Sequence, residues 1–208
     1  MAMKRIYVLM LVICFQQTVA QEFHLVFLNK KEDKAVLPED EVKKLMDGHM
    51  ANINRLAKEG KLWAAGPFDG GGGIFLFKTS SMEDVKSWIL TDPAVKAERW
   101  SVEIFPYYPR TGSVCSVGEN YEMTNYFFVR YWSKQATPDN AHREYILTTF
   151  NGRVVAEGQL GEGNGSILVL RDEPQSTDLD QDPSVKGSRM SYSLKKLFIA
   201  KGSFCEPK

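Results

Sequence analysis

Three histidines and three cysteines are the only imidazole and thiolate ligands this 208-residue chain could offer to a transition metal. None of them stands in Cys-x-x-C or His-x-x-x-His spacing, and no carboxylate-rich calcium loop occurs, so the sequence gives no sign of a zinc or calcium centre. Basic and acidic residues balance at 26 each with no basic cluster, which argues against a nucleic-acid partner. "GQLGEGNG" (158–165) contains G-x-G spacings, yet a strand is expected after it where a dinucleotide fingerprint needs a helix. Past the first twenty residues, no apolar run is long enough to cross a bilayer.

The first twenty residues differ in kind. Lys4 and Arg5 precede the apolar run "IYVLMLVICF", and Thr18 and Ala20 supply the small residues at which a signal peptidase cuts. Residues 1–20 therefore read as a secretory signal peptide, with an apolar core too short to span a membrane. Lipid attachment at Cys14 is disfavoured by the bulky Ile13 before it. Removing the segment takes away two basic residues and leaves the chain from Gln21 slightly acidic. The expectation is an exported protein, periplasmic or secreted, with no membrane attachment after processing. Its two remaining cysteines, Cys115 and Cys205, would meet an oxidising compartment.

What the chain does have is an echo. "DPAVK" at 92–96 returns as "DPSVK" at 182–186, and "HMANINRLAKEGKLWAAG" at 49–66 lines up with "HREYILTTFNGRVVAEG" at 142–158. His49 and His142 are 93 residues apart, Gly66 and Gly158 are 92 apart, and Asp92 and Asp182 are 90 apart. Single-residue loop deletions account for the drift. The period is too long for a solenoid and suits a small domain, which divides the chain into units at 21–108 and 123–208 joined by a linker at 109–122.

Each unit reads as β-α-β-β-α-β. In the first, "FHLVFLN" is a buried strand, and a helix follows from Pro38 with three acidic residues in its first turn and Gly60 beyond its end. "KLWAAGPF" and "GIFLFKT" flank a glycine-rich hairpin; Ser80 with Glu83 predicts a capping box, and Asp92-Pro93 falls near that second helix's end. "SVEIFPYY" is the last strand. The second unit repeats the order, with Thr137 and Pro138 opening a helix and a short, poorly formed second helix around "PQSTDLDQDPSV". Such a unit covers one sheet face with helices and leaves the other bare, and a second copy is the simplest cover. The predicted fold is α+β: two tandem β-α-β-β-α-β units making, within one chain, the barrel otherwise made by dimers.

Two histidines occupy matching places. His49 lies on the stripe Leu45, His49, Ile53, Leu56, and His142 on His142, Ile146, Phe150, which puts each on the sheet-facing side of its helix. An imidazole there needs a partner, and Asp92 and Asp182 are the carboxylates that recur beside an identical local sequence. A carboxylate holding one ring nitrogen would leave the other free as a base. The plainer reading has Asp capping a turn and His filling a gap between helix and sheet. His24 and the aromatic residues read as structural.

Taken together, "HMANINRLAKEGKLWAAGPF" and "DPAVKAERWSVEIFPYY" resemble the YCII-related family of small bacterial proteins over nearly all of 23–108. The stretch 125–204 resembles it less well, having "EGQL" where the family has A-G-P. The resemblance implies a ferredoxin-like dimeric α/β barrel and a His-Asp dyad, here His49 with Asp92 and His142 with Asp182. The relatives with known chemistry are cofactor-free lyases and isomerases of chlorinated or lactone rings, so no cofactor is expected. Haem, used by some barrels of this architecture, is left open by two candidate axial histidines.

Two functional readings follow. One is a cofactor-independent lyase or isomerase in which His49 moves a proton on a small organic molecule and Asp92 orients it; the other is a small-molecule-binding or scaffold protein whose dyads only hold the fold. Both units on one chain imply a monomer with an internal pseudo-two-fold axis. Cys115 and Cys205 share the offset of the Asp-Pro repeat, so they fall at equivalent points of such a barrel and are candidates for a disulfide.

Overall fold

In the computed structural model, strand β1 (Phe23–Lys30) buries six residues in succession, because it is covered on both faces. Leu25 and Phe27 enter an inner core while Val26 and Leu28 enter an outer one, as the two-residue period of a strand requires. The structure describes residues 22–118, 120–134 and 140–206, so the expected signal peptide and the Thr137-Pro138 helix start lie outside it.

Helix α1 (Glu39–Lys58) follows, with Glu39, Asp40 and Glu41 in its first turn and Arg55 and Lys58 in its last, each set opposing the partial charge of its end. Strands β2 (Leu62–Pro67) and β3 (Gly73–Lys78) form a hairpin, and β3 returns to pair with β1. Helix α2 (Met82–Ile89) begins one residue later than the sequence suggests: Ser81, not Ser80, is the cap, accepting from Asp84 N–H at 3.1 Å. The Thr79 hydroxyl takes the Ser81 N–H at 3.0 Å and keeps residues 79–81 out of the helix.

Asp92 falls just past the end of α2, as expected, two residues beyond its C-cap Leu90, and it also begins a new element. The Pro93 ring bars it from helical geometry, so it sits extended and caps a new four-residue helix, α3 (Pro93–Lys96). Strand β4 (Trp100–Thr111) runs past Pro109 into the stretch expected to be a linker, pairing there with the second half. Strand β5 (Ser113–Val114) follows at once, so only the remainder of 109–122 is irregular.

The second half contains β6 (Met123–Ser133), α4 (Asn140–Thr149), β7 (Val154–Leu160), β8 (Ser166–Leu170), the short helices α5 (Ser176–Asp180) and α6 (Pro183–Lys186), β9 (Met190–Ala200) and β10 (Phe204–Cys205). Asp182 caps α6 as Asp92 caps α3. Eight strands form one antiparallel sheet in the order β2-β3-β1-β4-β7-β8-β6-β9.

That sheet nearly closes on itself. Its middle seam, β4 with β7, is a ladder; its ends, β2 and β9, meet through the bridge Phe68–Leu197 and the bond from Asp69 N–H to Lys196 O at 2.9 Å. Both seams need glycine. A Cβ on Gly66 would stand 2.5 Å from Phe198 O, and one on Gly158 would stand 2.6 Å from Tyr108 O. Gly66 and Gly158 are one of the glycine pairs that recur in the sequence.

The inner core draws on both halves, with Leu25, Leu76, Phe128, Val169 and Leu197 among its members. Two outer cores lie under the helices: Leu56, Phe75 and Val85 in the first half, Ile146, Leu168 and Leu179 in the second. Truncating any of these fully buried leucines to Ala would cost about 2–5 kcal/mol. Strands β5 and β10 pair at one end, where Val114 and Phe204 enter the inner core. There Cys115 and Cys205 are joined by a disulfide with Cα atoms 5.7 Å apart.

Candidate active site

Helix α1 turns a mixed stripe toward the sheet: His49, Asn52 and Leu56 are buried, with Leu45 and Ile53 half-buried. Helix α3 lies across it at close range. A Cβ on Gly48 would come within 2.7 Å of the Pro93 side chain, so a glycine at 48 lets the Asp-Pro turn approach the helix carrying His49.

The approach brings His49 and Asp92 together. His49 Nδ1 donates to Asp92 Oδ2 at 2.6 Å. The other carboxylate oxygen, Oδ1, accepts from the Ala94 and Val95 N–H groups at 2.9 and 3.1 Å. Asp92 thus caps a turn with one oxygen and holds an imidazole with the other, so the two sequence readings of this residue are satisfied at once. Burial alone would raise its carboxyl; the His49 hydrogen bond and charge, with the Val95 and Ala94 N–H groups, outweigh it and hold the group below its ordinary value. An ionised Asp92 can only accept, so the neutral imidazole carries its hydrogen on Nδ1 and its lone pair on Nε2.

Around this pair stands a polar bracket that the sequence did not announce. Asn52 Nδ2 reaches Asp92 Oδ2 at 3.4 Å, and Asn52 Oδ1 accepts from Arg55 Nη2 and from the Thr91 hydroxyl, both at 2.8 Å. Asn52 follows His49 by three residues, the spacing that shares a helix face; that was the available signal. The ring itself lies against Phe75 and Trp100, centroids 5.8 and 4.7 Å away. His49 keeps 7% of its surface, and its Nε2 has no hydrogen bond to any described residue.

The second pair repeats the bond and loses the opening. His142 Nδ1 donates to Asp182 Oδ2 at 2.6 Å, and Asp182 Oδ1 accepts from Ser184 N–H at 2.8 Å. Here Nε2 is also engaged, 3.0 Å from the Ser166 hydroxyl, and His142 is only 2% exposed. Ser166 opens β8 opposite Gln159, one residue past Gly158; the same register position on β3, opposite Pro67 and one past Gly66, is Gly73. Tyr131 packs edge-on to His142, and its hydroxyl is pushed well up, by burial first and by the Asp182 charge second. Nearby Glu157, fully buried, is ion-paired with Arg110 and with Arg143 on α4. It stands in the "EGQL" segment where the second half departs from the first.

His24 belongs to neither pair. Its Nδ1 donates to Thr79 O at 2.9 Å, tying β1 to the end of β3, and burial lowers its affinity for a proton. Among the described residues, no group of three or more His, Cys, Asp or Glu side chains converges as metal ligands would. The two imidazoles do not suit a haem iron either. His142 has both nitrogens committed, and His49 Nε2 lies among ring faces with little exposed surface.

Fold and site together define an α+β protein: a nearly closed antiparallel sheet, helices outside it, and a His-Asp pair under each half's first helix. Within it, residues 23–108 match the model of the YCII-related domain. A candidate monooxygenase of Fusobacterium nucleatum aligns with 88% of this chain over 93% of its own at 11% identity and a TM-score of 0.43. The siroheme decarboxylase NirDL aligns with 90% of this chain over 73% of its own at 9% identity and a TM-score of 0.47. At these values the likeness bears on neither substrate nor reaction. No curated protein matches in sequence.

Proposed function

We propose that this is an exported small-molecule enzyme of the cofactor-independent lyase or isomerase kind, working through the His49–Asp92 pair. The observation that carries the reading is an imidazole with Nδ1 fixed by a buried carboxylate and Nε2 left without a hydrogen bond to any described residue. Such a ring takes a proton at Nε2 and returns it, while Asp92 steadies the cation that forms in between. Phe75 and Trp100 give the neighbourhood an apolar character suited to a ring-shaped organic molecule.

The same element order in both halves, the paired Asp caps and the paired seam glycines support reading the chain as two tandem ferredoxin-like units, 21–108 and 123–208. One chain then supplies both halves of a dimeric α/β barrel and acts as a monomer. The second dyad serves the fold: Ser166 occupies the nitrogen that a base would need.

The test is turnover of a panel of ring lactones and chlorinated ring compounds by the mature chain, alongside His49→Asn and His142→Asn. General acid–base catalysis contributes about 10²–10⁴-fold, so H49N should lose activity by that order while H142N, if folded, keeps it. Equal rates for wild type and H49N, or no turnover of any panel member, would refute the assignment.

A further inference from the structure

The unused chemistry lies on the other side of the sheet. At the end of the barrel away from the disulfide, Phe27, Phe68, Phe128 and Trp132 wall a cleft of about 150 Å³ that also receives Arg130 and Lys195. Tyr126 meets Phe204 at the plugged end, and Arg130 and Trp132 lie four and six residues further along β6. Phe27 faces inward from β1, whereas Phe75, which touches the His49 ring, belongs to the outer core. The cleft and the His49 pair are thus on opposite faces of one sheet.

Charge there is built in and left uneven. Arg130, 5% exposed, gives Nη1 and Nη2 to the two oxygens of Glu103 at 2.9 and 2.7 Å, a bidentate pair between β6 and β4. Asn29 Nδ2 adds a bond to the same carboxylate at 2.5 Å. The guanidinium lies 4.0 Å from the Phe27 centroid and 4.8 Å from that of Trp132. Its Nε–H, however, is buried without an acceptor. Lys195 has its ammonium 5.0 Å from the Phe68 centroid and no carboxylate within ion-pair distance among the described residues. Two cations and one carboxylate leave the cleft with one positive charge and an unmet donor.

We infer that this cleft binds a single-ring organic carboxylate. A volume of about 150 Å³ lined by apolar groups suffices for a benzene-sized ring. The aromatic walls would take the ring, Lys195 the carboxylate charge, and a small shift of Arg130 would offer its Nε–H to a carboxylate oxygen. The site is independent of the His49 chemistry.

Benzoate is the probe, titrated into the mature chain and followed by NMR at the Trp132 indole and the Arg130 Nε–H. Saturable shifts at both are expected, with benzyl alcohol and benzylamine binding more weakly. Lys195→Gln should weaken benzoate about tenfold, the scale of one charge-assisted hydrogen bond, and leave benzyl alcohol unaffected. Lys196→Gln and His49→Gln should leave benzoate affinity unchanged. The site is ruled out if the two signals do not saturate, if benzyl alcohol matches benzoate, or if affinity follows His49 and ignores Lys195. This readout needs no catalysis, so it stands or falls separately from the His49 proposal.

Discussion

Ser166 Oγ lies 3.0 Å from His142 Nε2, at the register position where β3 carries Gly73. That hydroxyl is one difference between the two His-Asp pairs, beside the Asn52 bracket and the different ring neighbours. Where it is present, both imidazole nitrogens are spoken for; at His49 the matching position has no side chain to offer.

Replacing Ser166 by Gly should undo that difference. The buried His142 Nε2 loses the Ser166 bond, at a cost of about 1–3 kcal/mol in urea unfolding. His142 should also begin to react with an imidazole-modifying reagent at a rate nearer that of His49. A variant as inert as the parent would mean that packing, not the hydroxyl, closes the second site.

Gly48 supplies a prediction opposite in sign to helix propensity. An interior Gly→Ala change normally stabilises a helix by up to about 1 kcal/mol. Here the new methyl meets Pro93 at 2.7 Å, so Gly48→Ala should instead destabilise by about 1–3 kcal/mol and lengthen the His49–Asp92 bond. Thermal unfolding with a crystal structure of the variant checks both parts.

The pH dependence follows from Asp92. Its carboxyl is held below the ordinary 3.8, so the unfolded chain binds this proton more readily, and the stability it confers is full above that value and lost as pH falls through the folded one. In His49→Gln the histidine's hydrogen bond and charge are gone, burial is opposed only by the Val95 and Ala94 N–H groups, and the contribution shrinks. The stability gap between parent and variant should widen as pH rises from 3 to about 5.5, reaching roughly 3–5 kcal/mol. A gap independent of pH would count against the pairing.

The disulfide closes a segment of 90 residues. Thiol labelling of the non-reduced protein should find neither Cys115 nor Cys205 free. Changing both to Ser should cost at most about 4–5 kcal/mol, the chain-entropy figure for a loop that long.

Residues 21–110 made alone would carry β1 to β4 with Leu25, Phe27 and Leu76 uncovered on one face. Sedimentation should find dimers or larger species. A stable soluble monomer would contradict the single-chain barrel.

Much of this was legible because it is local. The aromatic and branched run in "FHLVFLN", the acidic start of α1 and the Asp-Pro caps are written in neighbouring residues, and the recurrence of His and Asp at matching offsets points to the side chains that meet. Other features were not legible, because their cause lies across the fold. Ser166 is an unremarkable strand opener until β8 comes under α4. Gly48 looks like a weak point in a helix until Pro93 arrives opposite it. β4 was cut short at Pro109 because nothing nearby foretells that its continuation pairs with Gly158 and Glu157.

The two seams of the sheet are unequal, and this gives the molecule a direction in which to breathe. β4 and β7 share four paired positions, whereas β2 and β9 are held by the single bridge at Phe68 and the Asp69–Lys196 bond. Transient opening should begin at the weaker join, so the Asp69 amide should exchange with solvent sooner than that of Gln159. Phe68 is also a wall of the aromatic cleft. The motion that parts the sheet is then the one that admits a molecule to its interior.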